Sequence, residues 1–446
     1  MTKQKHAYGI LTGITMIVGI VIGAGIYFKA DDILAFTGGN MSLGFLVLVI
    51  GASNIIFGSL SLSELAKRED QSGGIIAYLE RFSSPALASA FGWFQGLVFM
   101  PSVIAVIAFY CAYFTGQAFN FEMNLVQQTL LAGAYIVLFT ASNILSRKLG
   151  GYFQNLATAI KLLPFALIAL AGLFWNQATP AIPTNYEVIP VHDVGWGWLS
   201  ALVPLAFAYE GWSFVTSIAH ELKNPQRDLV RALIIGPMVI LLTYLAFLFG
   251  MNQILGASFI LSTKDDAISF ALSTLLGAGA GKLIMMVVLI SVLGVLNGVL
   301  LANMRIPQSL AEKNMLHPRS LETIHPRYQL SISSSLLVSG LSLAWLFVHY
   351  LVTLTNILPK SDVSEIAIVF NYIWYIVVYV LVLYLFKKGQ ISNRLTGLVA
   401  PIIAIIGAIL VLAGSLLNSF GMSLIFMAIC LFVSLAGYLG YKKWNP

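Results

Sequence analysis

A glycine-rich stretch in the first hydrophobic segment carries the clearest chemical signal in this sequence. Residues 18–27 read Val-Gly-Ile-Val-Ile-Gly-Ala-Gly-Ile-Tyr. Each glycine weakens a helix interior by roughly 1 kcal/mol relative to alanine, so we predict that a membrane helix breaks here. The freed N–H groups of Gly23, Ala24 and Gly25 would then favour an anion such as a carboxylate. The alternative is a packing motif, because Gly19 and Gly23 form a Gly-x-x-x-Gly pair that also lets helices approach closely.

Two ionisable residues lie inside other apolar runs. Glu210 falls in residues 207–212, Phe-Ala-Tyr-Glu-Gly-Trp, where a carboxylate and a glycine interrupt the run. Its side chain could meet a cationic substrate group, or it could form a structural salt bridge or a hydrogen bond to a neighbouring helix. Alternatively, only the backbone carbonyls of that turn could matter, by attracting an ammonium. Lys161 could be a fixed cation, a proton carrier or a partner of Glu210. Ionisable groups inside a membrane are costly, and by default they indicate function.

The composition shows which elements must position these residues. The chain is 59% hydrophobic and 9% charged, with a mean hydropathy of +0.88. Runs of about 20 apolar residues, the length that spans a bilayer, recur along the whole sequence. We therefore predict an all-α polytopic membrane protein with twelve transmembrane helices. The predicted spans are 8–37 (broken), 41–64, 84–118, 126–145, 152–174, 195–219 (broken), 230–252, 276–304, 329–350, 364–386, 395–417 and 421–441.

The positive charges predict the orientation of these spans. With both termini in the cytoplasm, most of the 24 lysines and arginines fall in inner loops and tails, as the positive-inside rule requires. We expect a multi-pass protein of the cell (plasma) membrane that is embedded in the lipid bilayer. The net charge of +6 follows from this topology, so we expect no nucleic-acid partner.

The two predicted breaks, in the first and sixth spans, indicate an internal repeat. Two interrupted helices at corresponding positions are typical of an inverted repeat of five plus five helices. An odd number of spans in each repeat would give the two halves opposite orientations. We therefore predict a first repeat over residues 1–175, a second over 195–386, and helices eleven and twelve with a cytoplasmic tail over 395–446.

Three short motifs, in this order, resemble the amino acid/polyamine/organocation (APC) superfamily. They are Gly-Ala-Gly-Ile at 23–26, Phe-Ala-Tyr-Glu-Gly-Trp at 207–212 and Glu-Leu-Lys-Asn-Pro-Gln-Arg-Asp-Leu at 221–229. Within the superfamily, the chain looks most like the L-type amino acid transporter branch and its bacterial serine/threonine exchanger relatives. The resemblance covers nearly the whole chain.

The resemblance implies a LeuT-like fold that binds an amino acid between helices one and six. It places the substrate carboxylate on the backbone of Val21, Ile22, Gly23, Ala24 and Gly25. It places the amino group on carbonyls around Phe207, Ala208, Tyr209 and Glu210. Phe207 resembles the aromatic gate of family members. Lys161 resembles a helix-five lysine of sodium-independent relatives, which occupies the region where sodium-coupled members bind an ion, so sodium-independent transport is expected.

The sequence also departs from the family pattern. Ala24 stands where serine is common, which removes a hydroxyl from the carboxylate site. Glu210 adds a charge that could shift preference toward cationic substrates. Residues 29–32, Lys-Ala-Asp-Asp, depart from a proline-containing pattern, and we predict that they form a solvated vestibule face. Residues 119–124 contain no cysteine, so we expect no covalent partner subunit of the kind found on animal members.

Other protein classes fit the sequence less well. The six histidines lie at predicted helix ends or in loops without metal-ligand spacing, so we expect no enzyme, no metal and no cofactor. A channel would be expected to carry rings of polar or charged residues deep in the membrane. We therefore predict a transporter that exchanges small neutral amino acids by alternating access. Proton-coupled uptake and transport of a diamine or basic amino acid remain the alternatives.

Overall fold

The structure is a computed structural model of the chain. It describes residues 10–22, 24–27, 29–69, 74–145, 161–213, 215–216, 222, 224–328, 330–358, 361–418 and 420–445. Within these ranges, all the secondary-structure elements are helices. Helices are therefore the regular elements of the described residues, as the composition predicts, and irregular segments such as 175–194 connect them.

The α-helices are numbered here in chain order. They are α1 (Ile10–Val21), α2 (Ala24–Tyr27), α3 (Ala30–Phe36), α4 (Met41–Ala66), α5 (Ile75–Phe82), α6 (Pro85–Phe94), α7 (Met100–Phe119), α8 (Leu125–Leu145), α9 (Leu162–Leu173), α10 (Leu202–Ala208), α11 (Val230–Leu255), α12 (Ala257–Thr263), α13 (Ala267–Asn303), α14 (Arg305–Glu312), α15 (Ile332–Thr355), α16 (Val363–Lys387), α17 (Ala400–Asn418) and α18 (Phe420–Trp444). A π-helical turn, Gln95–Phe99, joins α6 to α7.

Nine helical stretches among the described residues are long and apolar enough to cross a membrane. The sequence predicts twelve spans, and the other three predictions fall on shorter pieces. The first predicted span is divided among α1, α2 and α3, and the sixth contains the short apolar stretch Gly195–Ala208. The fifth predicted span is described only from Lys161 onward, because residues 152–160 lie outside the described ranges.

Several helices begin at residues whose side chains accept hydrogen bonds from the first turn. Asn40 accepts from the backbone N–H of Leu43, and Ser84 accepts from that of Leu87, both at 3.2 Å. Such caps satisfy N–H groups that have no partner within the helix. The predicted span 276–304 begins beside Gly277, where φ is +77° and α13 bends, and the stretch that is long and apolar enough to cross a membrane begins at Met285.

Burial separates the interior of the bundle from its periphery. The stretch Pro85–Phe119 and helix α16 are 78% and 72% buried over their most apolar windows, whereas α8 and α18 are 22% and 28% buried. Helix α1 packs on α11, and α10 packs on α2, α4 and α16. The interrupted helices therefore lie within the bundle, where α7, α11, α13 and α16 surround them.

Candidate functional site

The first helix is interrupted between Val21, where α1 ends, and Ala24, where α2 begins. Gly25 follows, and its backbone lies against the end of α10. A Cβ atom at position 25 would lie 2.5 Å from the Cα atom of Ala208. Only glycine therefore allows the two backbones to meet at this point. Gly23, also predicted to line the site, lies outside the described residues.

The second interruption follows α10, which ends at Ala208. The chain turns at residues 209–211, and Gly211 has a φ of +106°, a conformation that residues with a side chain rarely adopt. The N–H of Glu210 donates to the carbonyl of Phe207 at 3.0 Å, which closes the last turn. The carbonyl end of α10 thus faces the beginning of α2.

The hydroxyl of Tyr244 bridges the two interruptions. Tyr244 lies on α11 and is fully buried. Its Oη atom lies 3.1 Å from the carbonyl oxygen of Val21 and 2.7 Å from that of Ala208. A tyrosine hydroxyl has one proton, so the two carbonyls share a single donor. The ends of α1 and α10 are therefore held together through a residue of a third helix.

A small cavity lies beside the two interruptions. Its volume is about 30 Å³. A water molecule needs roughly 10–15 Å³ of such space, so the cavity has room for only a few atoms in this conformation. Its described lining consists of Ile20, Val21, Gly25, Phe207, Glu210 and Gly211 around the breaks, and Phe99, Met100, Val103, Ile107, Val295, Val299 and Ile368 on the other helices.

Glu210 is the one titratable residue among the described residues that line this cavity. Its Oε1 atom accepts a hydrogen bond from the hydroxyl of Tyr375 at 3.2 Å. Lys161 is 1% exposed and immediately precedes α9. Of the contacts between described residues, none joins Lys161 to Glu210. The carboxylate therefore faces an apolar cavity with a tyrosine as its neighbour.

Phe207 separates the cavity from a buried lysine. The Nζ atom of Lys29 lies 5.6 Å from the centre of the Phe207 ring. Lys29 is 2% exposed and forms three ion pairs, with Asp32 at 3.3 Å, Asp362 at 2.8 Å and Glu365 at 2.7 Å. Phe207 itself is 5% exposed. This end of the site, which we call the Lys29 end, is closed.

Asp362 connects the Lys29 end to the start of α16. Its Oδ1 atom accepts from the backbone N–H groups of Ser364 and Glu365 at 2.8 and 3.1 Å, which caps the helix. Its Oδ2 atom accepts from Lys29. The prediction of a solvated face is wrong for Lys29, because acidic partners more than 300 residues later in the chain bury it.

Further carboxylates surround the Lys29 end outside the membrane-spanning helices. Asp266 accepts hydrogen bonds from the hydroxyl groups of Tyr113 and Tyr186, at 2.6 and 2.5 Å. Burial raises the pKa of the neighbouring Asp265 to about 7, and the negative charge of Asp32 acts in the same direction. This region therefore carries more acidic than basic groups.

The reasoning from sequence missed Tyr244 and the partners of Lys29. Tyr244 stands alone in an apolar run, and nothing local distinguishes it from a packing residue. Asp362 did leave a signal, because an aspartate followed three residues later by Glu365, ahead of an apolar run, has the spacing of a capping box. That signal predicts the start of a helix, but it does not predict the ion pairs with Lys29.

Comparison with known proteins shows where the chain belongs. A family profile described as "Amino acid permease" matches residues 8–439. The Serine/threonine exchanger SteT of Bacillus subtilis (strain 168) is 28% identical, over 98% of this chain and 97% of that protein. The b(0,+)-type amino acid transporter 1 of Mus musculus is 31% identical over 60% of this chain and 55% of its own length. The Asc-type amino acid transporter 1 of Mus musculus is 28% identical over 79% of this chain and 67% of its own length.

These relatives are transport proteins and not enzymes, and the family match covers nearly the whole chain. The described helices include nine that could span a membrane. The chain belongs to the amino acid permease family.

Proposed function

We propose that this chain is a sodium-independent transporter that exchanges small neutral L-amino acids across the membrane. The observation that carries the proposal is the meeting of two helix interruptions, at 21–24 and 208–211, beside one small cavity. Exposed backbone is tolerated inside a membrane protein where it lines a cavity, and transporters use such breaks to bind substrates. The name of the full-length bacterial relative, a serine/threonine exchanger, supports both amino acids and exchange.

The charges of an amino acid complement the two interruptions. The substrate carboxylate would lie on the backbone of residues 21–25, where the N–H groups at the start of α2 would bind it, because the start of a helix carries a partial positive charge. The N–H of Ile22 already donates to the carbonyl of Val18 at 2.9 Å. The carbonyl groups of residues 207–210 would bind the ammonium at the negative end of α10. The Ala208 carbonyl already accepts from Tyr244, but a carbonyl oxygen has two lone pairs and can accept a second hydrogen bond. The carboxylate of Glu210 adds negative charge on the same side.

The fold proposed for this function is LeuT-like, with twelve transmembrane helices. Residues 1–175 and 195–386 would form two inverted repeats of five helices, and residues 395–446 would add helices eleven and twelve. Breaks in the first and sixth segments support this division, because they occur at corresponding positions in the two halves. Opposite orientation of the repeats would let either side of the site open in turn.

Phe207 would act as the gate on one side of the substrate. It lies between the cavity and Lys29, whose ammonium is paired with Asp362 and Glu365. Opening the Lys29 end would separate Lys29 from Asp362, just before α16, and from Glu365 on α16, and it would expose Phe207. With both termini in the cytoplasm of a plasma-membrane protein, as the distribution of lysine and arginine predicts, this end would face outward.

Lys161 would act as a fixed cation in place of a transported ion. The side chain is buried. Its position resembles that of a helix-five lysine in sodium-independent members of the superfamily. Exchange would then require no sodium gradient.

Residues 119–124 lack a cysteine, so the proposed transporter works without a covalently attached subunit.

The test is uptake of labelled alanine by the purified protein in proteoliposomes, without sodium and without a pH gradient. Empty vesicles are compared with vesicles that are preloaded with unlabelled alanine. An exchanger takes up label only into preloaded vesicles. Equal uptake into both would contradict exchange, and a further increase with an inward proton gradient would indicate proton coupling. No uptake into either would contradict transport of small neutral amino acids.

A second candidate substrate is a diamine or basic amino acid. Glu210 favours it, because this carboxylate is the one titratable group that the described residues contribute to the cavity. The test compares uptake of alanine, arginine and putrescine by the unaltered protein and by Glu210→Gln. If neutral amino acids are the substrates and the backbone of residue 210 suffices, Glu210→Gln keeps measurable alanine exchange. Loss of arginine or putrescine uptake in a folded Glu210→Gln variant would favour the second candidate.

A further inference from the structure

We propose that the substrate cavity selects apolar side chains over hydroxylated ones. Valine and 2-aminobutyrate should therefore be better substrates than threonine and serine, which match them in shape. This inference rests on the proposed function, since it concerns the side-chain half of the same amino acid site. It departs from the substrates that the name of the bacterial relative, a serine/threonine exchanger, indicates.

The wall opposite the two helix breaks is entirely apolar among the described residues. With the breaks taking the carboxylate and the ammonium, the substrate side chain would point toward α7, α13 and α16. These helices contribute Met100, Val103, Ile107, Val295, Val299 and Ile368, each less than 9% exposed. None of these side chains can donate a hydrogen bond to a hydroxyl group, and none offers it an oxygen or nitrogen acceptor.

Three polar side chains on the same three helices are bonded elsewhere. The hydroxyl of Ser102 on α7 donates to a backbone carbonyl of the preceding turn at 2.8 Å. The amide of Asn371 on α16 accepts from Gln95 at 2.9 Å. The amide of Asn297 on α13 accepts from Asn143 at 3.0 Å. None of these three residues lines the cavity, so a substrate hydroxyl would not meet them.

Glu210 is the one polar side chain in the described lining, and it lies on the other side of the cavity. It follows α10, beside the carbonyl groups that would bind the ammonium, so in the proposed orientation the acceptor sites that Tyr375 leaves free would serve the ammonium. A hydroxyl on the substrate's β-carbon would lose its hydrogen bonds to water on entering the cavity, and this wall would offer it no replacement. An apolar pocket that merely tolerates an added hydroxyl discriminates against it by up to about 100-fold.

The first test uses isosteric pairs, because the members of each pair differ in polarity and not in size. Proteoliposomes preloaded with unlabelled alanine take up labelled alanine, and competition by valine is compared with threonine, and 2-aminobutyrate with serine. We expect half-inhibition at roughly 10- to 100-fold lower concentration for the apolar member of each pair. Equal competition within the pairs, or stronger competition by the hydroxylated members, would overturn the inference.

The alanine signal itself separates this inference from the function on which it rests. If alanine is not exchanged, the proposed function fails. If alanine is exchanged and threonine competes as well as valine, only the selectivity fails.

A variant with a hydroxyl in the wall provides the second test. Val103→Thr keeps the shape of the side chain and gives a substrate hydroxyl a hydrogen-bond partner, so the ratio between valine and threonine should fall toward one. The matched control is Val137→Thr on α8, where the side chain is 51% exposed on the outside of the bundle. The control should keep the ratio of the unaltered protein. An unchanged ratio in a folded Val103→Thr variant would overturn the assignment of this wall to the substrate side chain.

Discussion

Replacing Tyr244 with phenylalanine removes a hydroxyl that contacts both helix interruptions. The ring still fills the same space on α11, so the change is confined to one oxygen and its proton. The lost contacts are those to the carbonyl groups of Val21 at 3.1 Å and Ala208 at 2.7 Å. We expect the variant to fold and to exchange amino acids much more slowly.

The size of the effect follows from the hydrogen bonds that are lost. Since the hydroxyl has one proton, Tyr244→Phe removes one shared donor and leaves two buried carbonyl groups without it. Leaving a buried polar group unsatisfied costs about 1–3 kcal/mol. If that cost falls on the conformation in which both breaks meet around the substrate, exchange slows roughly 5- to 150-fold, because about 1.4 kcal/mol is a factor of ten in rate.

The assay is alanine exchange in proteoliposomes, with protein incorporation and melting temperature measured on the same preparations. Tyr135→Phe is the matched control, since its hydroxyl forms a 2.8 Å hydrogen bond with Thr115 away from the cavity. The control should lose a similar hydrogen bond and retain its exchange rate. Wild-type exchange by Tyr244→Phe, or an equal loss in both variants, would refute a specific role for this bridge.

Three further changes test other contacts of the site. Gly25→Ala should abolish alanine binding and exchange, because its Cβ atom would lie 2.5 Å from the backbone of Ala208. Lys161→Ala should strongly reduce turnover in proteoliposomes, because it removes the proposed fixed cation from a buried position. For Asp265→Asn, the measurement is the melting temperature at pH 8 and pH 5.5. The folded protein raises the pKa of Asp265 to about 7 from an ordinary value of 3.8, so it binds that proton more tightly than the unfolded chain. Stability should therefore rise as the pH falls through 7, and it should rise less in the variant.

Two matched variants serve as controls for these experiments. Gly133→Ala places a Cβ atom 3.5 Å from the side chain of Leu343, an ordinary contact, so it should not affect exchange. Asp193→Asn makes the same substitution at an exposed position and controls for the loss of a carboxylate as such. The reasoning fails if Gly25→Ala binds alanine normally or Lys161→Ala turns over at the wild-type rate. It also fails if Asp265→Asn retains the full pH dependence.

The membrane-spanning helices could be predicted largely from apolar runs, because the bilayer imposes a length and a composition. The prediction 364–386 lies within one residue of α16 at each end, Val363–Lys387. The ends of other helices depend on the backbone conformation of single residues, which a hydropathy pattern does not predict. Helix α15 continues to Thr355 and ends where Asn356 takes a left-handed φ of +49°, beyond the predicted boundary at 350.

The parts of the site that local sequence encodes could be predicted, and the contacts across the bundle could not. Glycines at 23 and 25 and the charge at Glu210 are local signals of interrupted helices. The bond from Tyr244 to Val21 joins residues 223 positions apart, and no local pattern specifies it. Lys29 was expected to face water because it is charged. Its burial depends on three carboxylates, two of them on or just before α16, that offset the loss of water.

The two oxygens of Asp362 have separate partners, and this affects how the protein could move. Oδ2 holds Lys29, whereas Oδ1 holds the first turn of α16 through Ser364 and Glu365. Withdrawal of Lys29 would break the first set of bonds and leave the second intact. Helix α16 could then act as a rigid body whose first turn stays folded. Opening would replace the ion pairs of Lys29 with contacts to water, without local unfolding. Each cycle would return Lys29 to a carboxylate that had kept its position.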